Sequence, residues 1–191
     1  MLAAESVKDL LTLKIPKPVL LAEGGAVEPN HSGPFKLYKK DKDGIILHDV
    51  LFSPFFAGAA GPGHCWHWDH YVAPNNLWFQ FGRFAAAVDG LDPPAENFQP
   101  FELEHERLYV YGLKGKTKTL VWCRDKQNTW KTELEKDKSP EMLTRLDVRL
   151  AVQDKRVRFY DPWENRWTDG KADDNKIVLP NFRRSLVIAL G

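Results

Sequence analysis

The sequence predicts an α/β segment followed by an antiparallel β-sandwich. Three observations lead there. The run Lys17-Pro18-Val19-Leu20-Leu21-Ala22-Glu23-Gly24-Gly25 sets a short apolar stretch between proline and a carboxylate backed by two glycines. That is the signature of a strand buried on both faces of a parallel sheet. Stretches with helical spacing flank this run. Beyond the proline-rich residues 92–104 the period shortens to strand alternation, broken by turn residues.

The elements follow in order. Leu2, Val7, Leu10, Leu11 and Leu13 predict a short amphipathic helix over residues 4–13. Residues 19–22 form the buried strand. Glu23 sits at its tip, where a charge is costly unless it has a partner or a task, and where barrels of parallel strands place their chemistry. Residues 26–44, with Pro29, Asn30, Ser32, Gly33 and Pro34 and a charged tail, read as a loop. A helix begins near Gly44, and Pro54 inside it predicts a kink or an early stop. The run His64-Cys65-Trp66-His67-Trp68-Asp69-His70-Tyr71 reads as a strand. In that conformation His64, Trp66, Trp68 and His70 share one face, and Cys65, His67 and Asp69 the other. Residues 77–88 read as a further helix packed by aromatics, stopped by Asp92-Pro93-Pro94.

In the second half, short alternating runs at residues 108–111, 119–122, 146–150, 157–160, 177–179 and 186–190 predict the strands of one sandwich domain. Residues 112–118 and 126–128 read as hairpin connections. Asp161-Pro162-Trp163-Glu164-Asn165-Arg166-Trp167 is a turn flanked by two indoles. It offers either an exposed aromatic rim or a pair of packed tryptophans.

A formal net charge of +1 over 191 residues gives no electrostatic case for nucleic acid or a membrane surface. No apolar run is long enough to span a bilayer. Residues 1–13 lack the basic start and continuous apolar core of a signal peptide. The chain, read as one that lacks its true N-terminus, leaves localisation open. Cys65 and Cys123 are expected to be free. His64, His67, Asp69 and His70 are the densest metal-like cluster. Strand alternation divides them, and no HExxH or CxxC spacing is present, so no metal and no cofactor are expected. His67 and Asp69 are instead assigned to orienting the tryptophan face or to hydrogen-bonding sugar hydroxyls. Tryptophan is abundant, and pyranose rings stack on indole as readily as cores are filled by it.

Taken together, "KPVLLAEGG", "LHDVLFSPFFAGAAGPG" and "HCWHWDHYV" resemble the last third of a retaining (β/α)8 glycoside hydrolase, in the clan of cellulases, mannanases and β-galactosidases. The resemblance spans about residues 1–93. It implies that residues 1–93 are the C-terminal portion of a TIM barrel, its last two βα units. Residues 94–104 would then be a linker and residues 105–191 a trailing β-sandwich. It implies that Glu23 is the nucleophile and that Trp66 or Trp68 is the platform for the scissile sugar. Glu28, Asn30 and His31, in the loop after the strand, become candidates for substrate contact or members of a solvated turn.

A complete barrel needs about 250 residues, and the clan's acid/base carboxylate belongs to a fourth strand for which no residue before Lys17 is available. Retaining hydrolysis needs two carboxyl groups about 5 Å apart. The chain is therefore expected to be part of a hydrolase of β-linked poly- or oligosaccharides, inactive by itself. The alternatives are a non-catalytic carbohydrate-binding protein and an interaction protein. Unpaired barrel strands would favour a homo-oligomer or a complementing N-terminal half.

Overall fold

Ala4 and Val7 are fully buried while Leu10 and Leu13 stand exposed, so the first helix, α1 (Leu2–Thr12), hides only one side. It packs on α2 (Ile45–Phe56), which is buried almost all round. The computed structural model describes residues 2–151, 156–173 and 175–191. The chain divides into two compact units, Met1–Ala85 with Thr129–Lys138, and Ala86–Asn128 with Ser139–Gly191.

The first unit is built on α2. Pro54 does not end this helix, which continues to Phe56. Proline brings no N–H, so the carbonyl of Val50 loses its usual helical donor. Gly63 passes directly over this point. A Cβ there would lie 2.4 Å from the Val50 carbonyl oxygen, so only glycine fits. Phe52 and Phe55 meet Phe84 edge-on at 5.3 and 5.4 Å. Phe84 belongs to α3 (Phe79–Ala87). The aromatic packing expected of this helix is thus carried by Phe84. Trp78, Phe79 and Phe81 are 50%, 40% and 37% exposed.

Two expected strands are not formed as such. Residues 19–22 adopt no named strand; an isolated parallel bridge joins Gly24 to Cys65. The tryptophan-rich run is extended only around Cys65, and Trp68–Val72 coils into a single π-helical turn. Alternation therefore fails beyond Cys65. The loop 26–44 contains two 3-10 turns, Pro29–His31 and Lys36–Lys40.

The second unit is antiparallel. Strands form where the short runs predict them, as β2 (Leu108–Lys114), β3 (Thr119–Asp125), β4 (Asp147–Arg149), β5 (Val157–Asp161), β8 (Lys176–Val178) and β9 (Ser185–Leu190), although β3 is buried along its whole length rather than on one face. To these are added β1 (Gln99–Leu103), drawn from the predicted linker, β6 (Arg166–Gly170) and β7 (Ala172–Asp173). One sheet has six strands in the order β1-β2-β3-β9-β5-β6, and a smaller one has the order β4-β8-β7. Val110, Val121, Cys123, Phe159 and Ile188 of the large sheet share one apolar core with Val148 and Ile177 of the small sheet, as two packed layers do. Gly112 admits the Phe101 ring, which would otherwise lie 2.2 Å from its Cβ. Residues 126–128 do not make a hairpin, because β3 pairs next with β9.

The β2–β3 turn is clasped by α4 (Pro93–Glu96). The Glu96 carboxylate accepts the hydroxyl of Thr117 and the N–H groups of Thr117 and Lys118. The Thr117 hydroxyl, then these N–H groups and the Lys118 charge, hold its carboxyl down at about 2. The stabilisation is complete above the ordinary value of 4.5 and is lost as pH falls toward 2. Glu96→Gln is therefore expected to melt below wild type at neutral pH, with the difference closing as pH falls through that window. Thermal melts in pH steps check this, and a difference independent of pH would refute it.

Candidate functional site

The segment bearing Glu23 and the segment bearing Trp66 run side by side. The Gly24 N–H donates to the His64 carbonyl at 2.7 Å, and the Trp66 N–H donates to the Gly24 carbonyl at 3.0 Å. The His64 N–H donates to Leu21 O at 3.2 Å and the Ala60 N–H to Val19 O at 2.8 Å. Gly24 lies opposite Cys65 in parallel register, which puts Glu23 alongside His64 and on the face away from Cys65. Glu23 is exposed, as are His64, Trp66 and Trp68, and Cys65 is buried. Burial pushes the Cys65 thiol up to about 11 and that of Cys123 up to about 12. Both cysteines are free.

The extended pairing stops at Gly25, whose φ of 123° turns the chain. Behind this turn lies a buried network. The Ala26 N–H donates to Tyr38 Oη at 2.6 Å. A Cβ on Gly25 would lie 2.7 Å from the same hydroxyl. The Tyr38 ring stacks on Tyr71 with centroids 4.1 Å apart and planes 16° from parallel. Tyr71 Oη donates to Asp41 Oδ2 at 2.5 Å and accepts the Leu47 N–H at 3.1 Å. Asp41, fully buried, also accepts the N–H groups of Ile45 and Ile46 at 2.8 and 2.9 Å. These are orphan donors of the first turn of α2, and a carboxylate suits them. Burial raises the Asp41 carboxyl against the lowering pull of these hydrogen bonds. Burial likewise raises the Tyr38 and Tyr71 phenols.

The remaining sequence-predicted residues are scattered around this turn. Glu28 turns into its own loop, where Oε1 accepts the Lys36 N–H at 2.6 Å and the Glu28 N–H donates to Gly33 O. Asn30 and His31 are exposed at the loop tip with positive φ. His67 is half-buried, its ring 6.0 Å from Tyr38 and 6.3 Å from His70. Asp69 is exposed and lies 3.5 Å from His70 Nε2. Among the described residues no group of three or more His, Cys, Asp or Glu side chains is arranged to hold a metal ion. No described helix is long and apolar enough to cross a membrane.

Tyr38, Asp41 and Tyr71 were not singled out by sequence reasoning. Asp41 lies four residues ahead of Ile45-Ile46-Leu47, too far for the ordinary helix-start signal, in which the capping residue directly precedes the helix, and here Gly44 holds that place. Tyr38 and Tyr71 carry no local pattern, since only the fold brings them together.

In the second unit, Trp163 and Trp167 pack rather than stand free. Trp163 donates Nε1–H to Ser185 Oγ at 2.8 Å beneath the Arg184 guanidinium. The Trp167 ring meets Tyr160 with centroids 5.0 Å apart and has the Arg158 guanidinium 4.5 Å from its centre. Asn165 takes φ 50° at the turn, a conformation that asparagine tolerates. A cleft of about 560 Å³ lies along β1 and β2, lined by Glu102, Glu104, His105, Tyr109 and Lys126 among others. His105 is spent on structure there. Its Nδ1 accepts the N–H groups of Arg107 and Leu108, and its Nε2 faces the Asp147 carbonyl at 3.1 Å.

No family model matches this sequence, and comparison with curated proteins gives no match.

Proposed function

We propose that this chain supplies the nucleophile half of a retaining glycoside hydrolase acting on β-linked poly- or oligosaccharides, with residues 1–93 as the last two βα units of its barrel. The observation that supports this best is the parallel bridge between Gly24 and Cys65. It sets the carboxylate of Glu23 and the indole of Trp66 on two adjacent, parallel-running segments. A nucleophile at one strand tip and an apolar sugar platform at the next is what such a site requires. The glycine pair after Glu23 lets the chain pack closely there, since a Cβ on Gly24 would lie 3.2 Å from Val50 and one on Gly25 2.7 Å from the Tyr38 hydroxyl. Glu23 attacks the anomeric carbon, the glycosyl–enzyme ester forms, and an acid/base carboxyl from a complementing barrel half protonates the leaving oxygen and then activates water. This chain alone turns over no glycoside.

A 2-deoxy-2-fluoro-β-glycoside with a dinitrophenolate leaving group tests the reading, because such a group departs without protonation. Added to the chain assembled with its complementing half, it is expected to add one glycosyl mass to the peptide containing Glu23. Labelling on another carboxylate overturns the assignment.

The exposure of Trp66, Trp68 and Trp78, at 60%, 57% and 50%, favours a second reading, carbohydrate binding without catalysis. Saturable binding of an oligosaccharide by this chain, with no ester formed in any assembly, distinguishes it from the first.

A further inference from the structure

The turn that follows Glu23 is held by one side chain, and we infer that Tyr38 is the positioning residue of the Glu23 carboxylate. The inference rests on the reading of Glu23 as nucleophile. Three features of the contact point to it. Tyr38 Oη accepts the Ala26 N–H at 2.6 Å, three residues beyond Glu23. Gly25 has φ 123°, and a Cβ there would meet the same oxygen at 2.7 Å, so the turn is shaped around the hydroxyl. The hydroxyl itself has little freedom to move. Tyr38 is 2% exposed, and its ring lies flat on Tyr71 at 4.1 Å. Tyr71 is fixed in turn by Asp41 and the Leu47 N–H, and Asp41 holds the N–H groups of Ile45 and Ile46.

A second set of contacts steadies the loop on the other side of Tyr38. Phe35 meets Trp130 edge-on at 5.1 Å, and Lys40 Nζ donates to Leu134 O and Asp137 Oδ1 at 2.9 and 2.8 Å. The line of contact thus runs from the first turn of α2 through two stacked phenols to the backbone beside the carboxylate. A nucleophile must be held to a fraction of an ångström, and displacement by about 1 Å from a change outside the chemistry costs about 10²-fold.

Tyr38→Phe keeps the ring and the stack and removes only the acceptor. In the chain itself, amide hydrogen exchange read by NMR is expected to speed up about tenfold or more at Ala26, with Ile46 in α2 unchanged. In the assembled hydrolase, kcat is expected to fall about 10- to 100-fold with KM unchanged. Should Tyr38→Phe fail to fold, Gly25→Ala presses on the same contact from the opposite side and is read the same way. Unchanged exchange at Ala26 overturns the inference. So does unchanged kcat in an enzyme that Glu23→Gln inactivates. Full turnover by Glu23→Gln, in contrast, defeats the assignment of the nucleophile and leaves the exchange measurement to decide what Tyr38 holds.

Discussion

Glu23→Gln is expected to lower kcat of the assembled hydrolase by on the order of 10³-fold or more, with the fold unchanged. The amide copies the shape of the carboxylate and removes the charge that attacks the anomeric carbon. Glu23 is exposed and forms no hydrogen bond or ion pair with another described residue. Its replacement should therefore shift stability by no more than about 0.5 kcal/mol, as surface changes do. The leaving group separates a nucleophile from an acid. A poor proton donor is rescued by dinitrophenolate, which needs no protonation, whereas a missing nucleophile is not. Glu23→Gln should thus be equally inactive on natural and on dinitrophenyl glycosides. Steady-state kinetics on both substrates with a matched thermal melt check this. Recovery on the activated substrate would mean that Glu23 serves as the proton donor.

How much of this was legible in the sequence depends on where the stabilising contacts lie along the chain. In the second unit the alternating runs are local signals, and β2, β3, β5 and β9 lie where they predict. The strands that were missed, β1, β6 and the two-residue β7, are edge strands, and β1 and β6 carry largely exposed, polar residues such as Gln99, Glu102, Arg166 and Asp169. Half their backbone faces no neighbour, so nothing in their composition marks them apart from a linker or a turn. Residues 19–22 show the opposite error. Their apolar run is consistent with a buried strand, but Leu20 is 59% exposed, and the pairing narrows to one bridge at Gly24. An apolar run becomes a strand only where a neighbour continues the ladder along it.

The site divides in the same way. Glu23 and the pair Trp66 and Trp68 could be singled out because a carboxylate next to two glycines and tryptophans among histidines are unusual in themselves. The network behind them could not be. Tyr38 and Tyr71 are 33 positions apart in the chain, and their stacking is a product of tertiary folding. The charged tail Lys39-Lys40-Asp41-Lys42-Asp43 belongs to the predicted loop, yet Asp41 is fully buried within it. Only the donors of α2 and the Tyr71 hydroxyl account for that.

Asp41→Ala is accordingly expected to be strongly destabilising, by about 3 kcal/mol or more. Truncation leaves the N–H groups of Ile45 and Ile46 and the hydroxyl of Tyr71 without their acceptor. An unsatisfied buried donor costs about 1–3 kcal/mol. A cavity is added where no solvent enters. Asp41→Asn keeps one carbonyl oxygen and should lose less.

The pH dependence has a defined sign. Burial holds the Asp41 carboxyl above its ordinary value, so the folded chain retains a proton that the unfolded chain has released. Between the two values, stability from this group rises as pH falls, the reverse of Glu96. The gap between wild type and Asp41→Asn therefore changes with acidification in the direction opposite to that for Glu96→Gln. Urea denaturation followed by tryptophan fluorescence, from pH 7 downward, measures both. A loss below about 1 kcal/mol in Asp41→Ala, no more than a single ordinary hydrogen bond, would show that water reaches the first turn of α2 and that the Tyr38–Tyr71 stack stands without it.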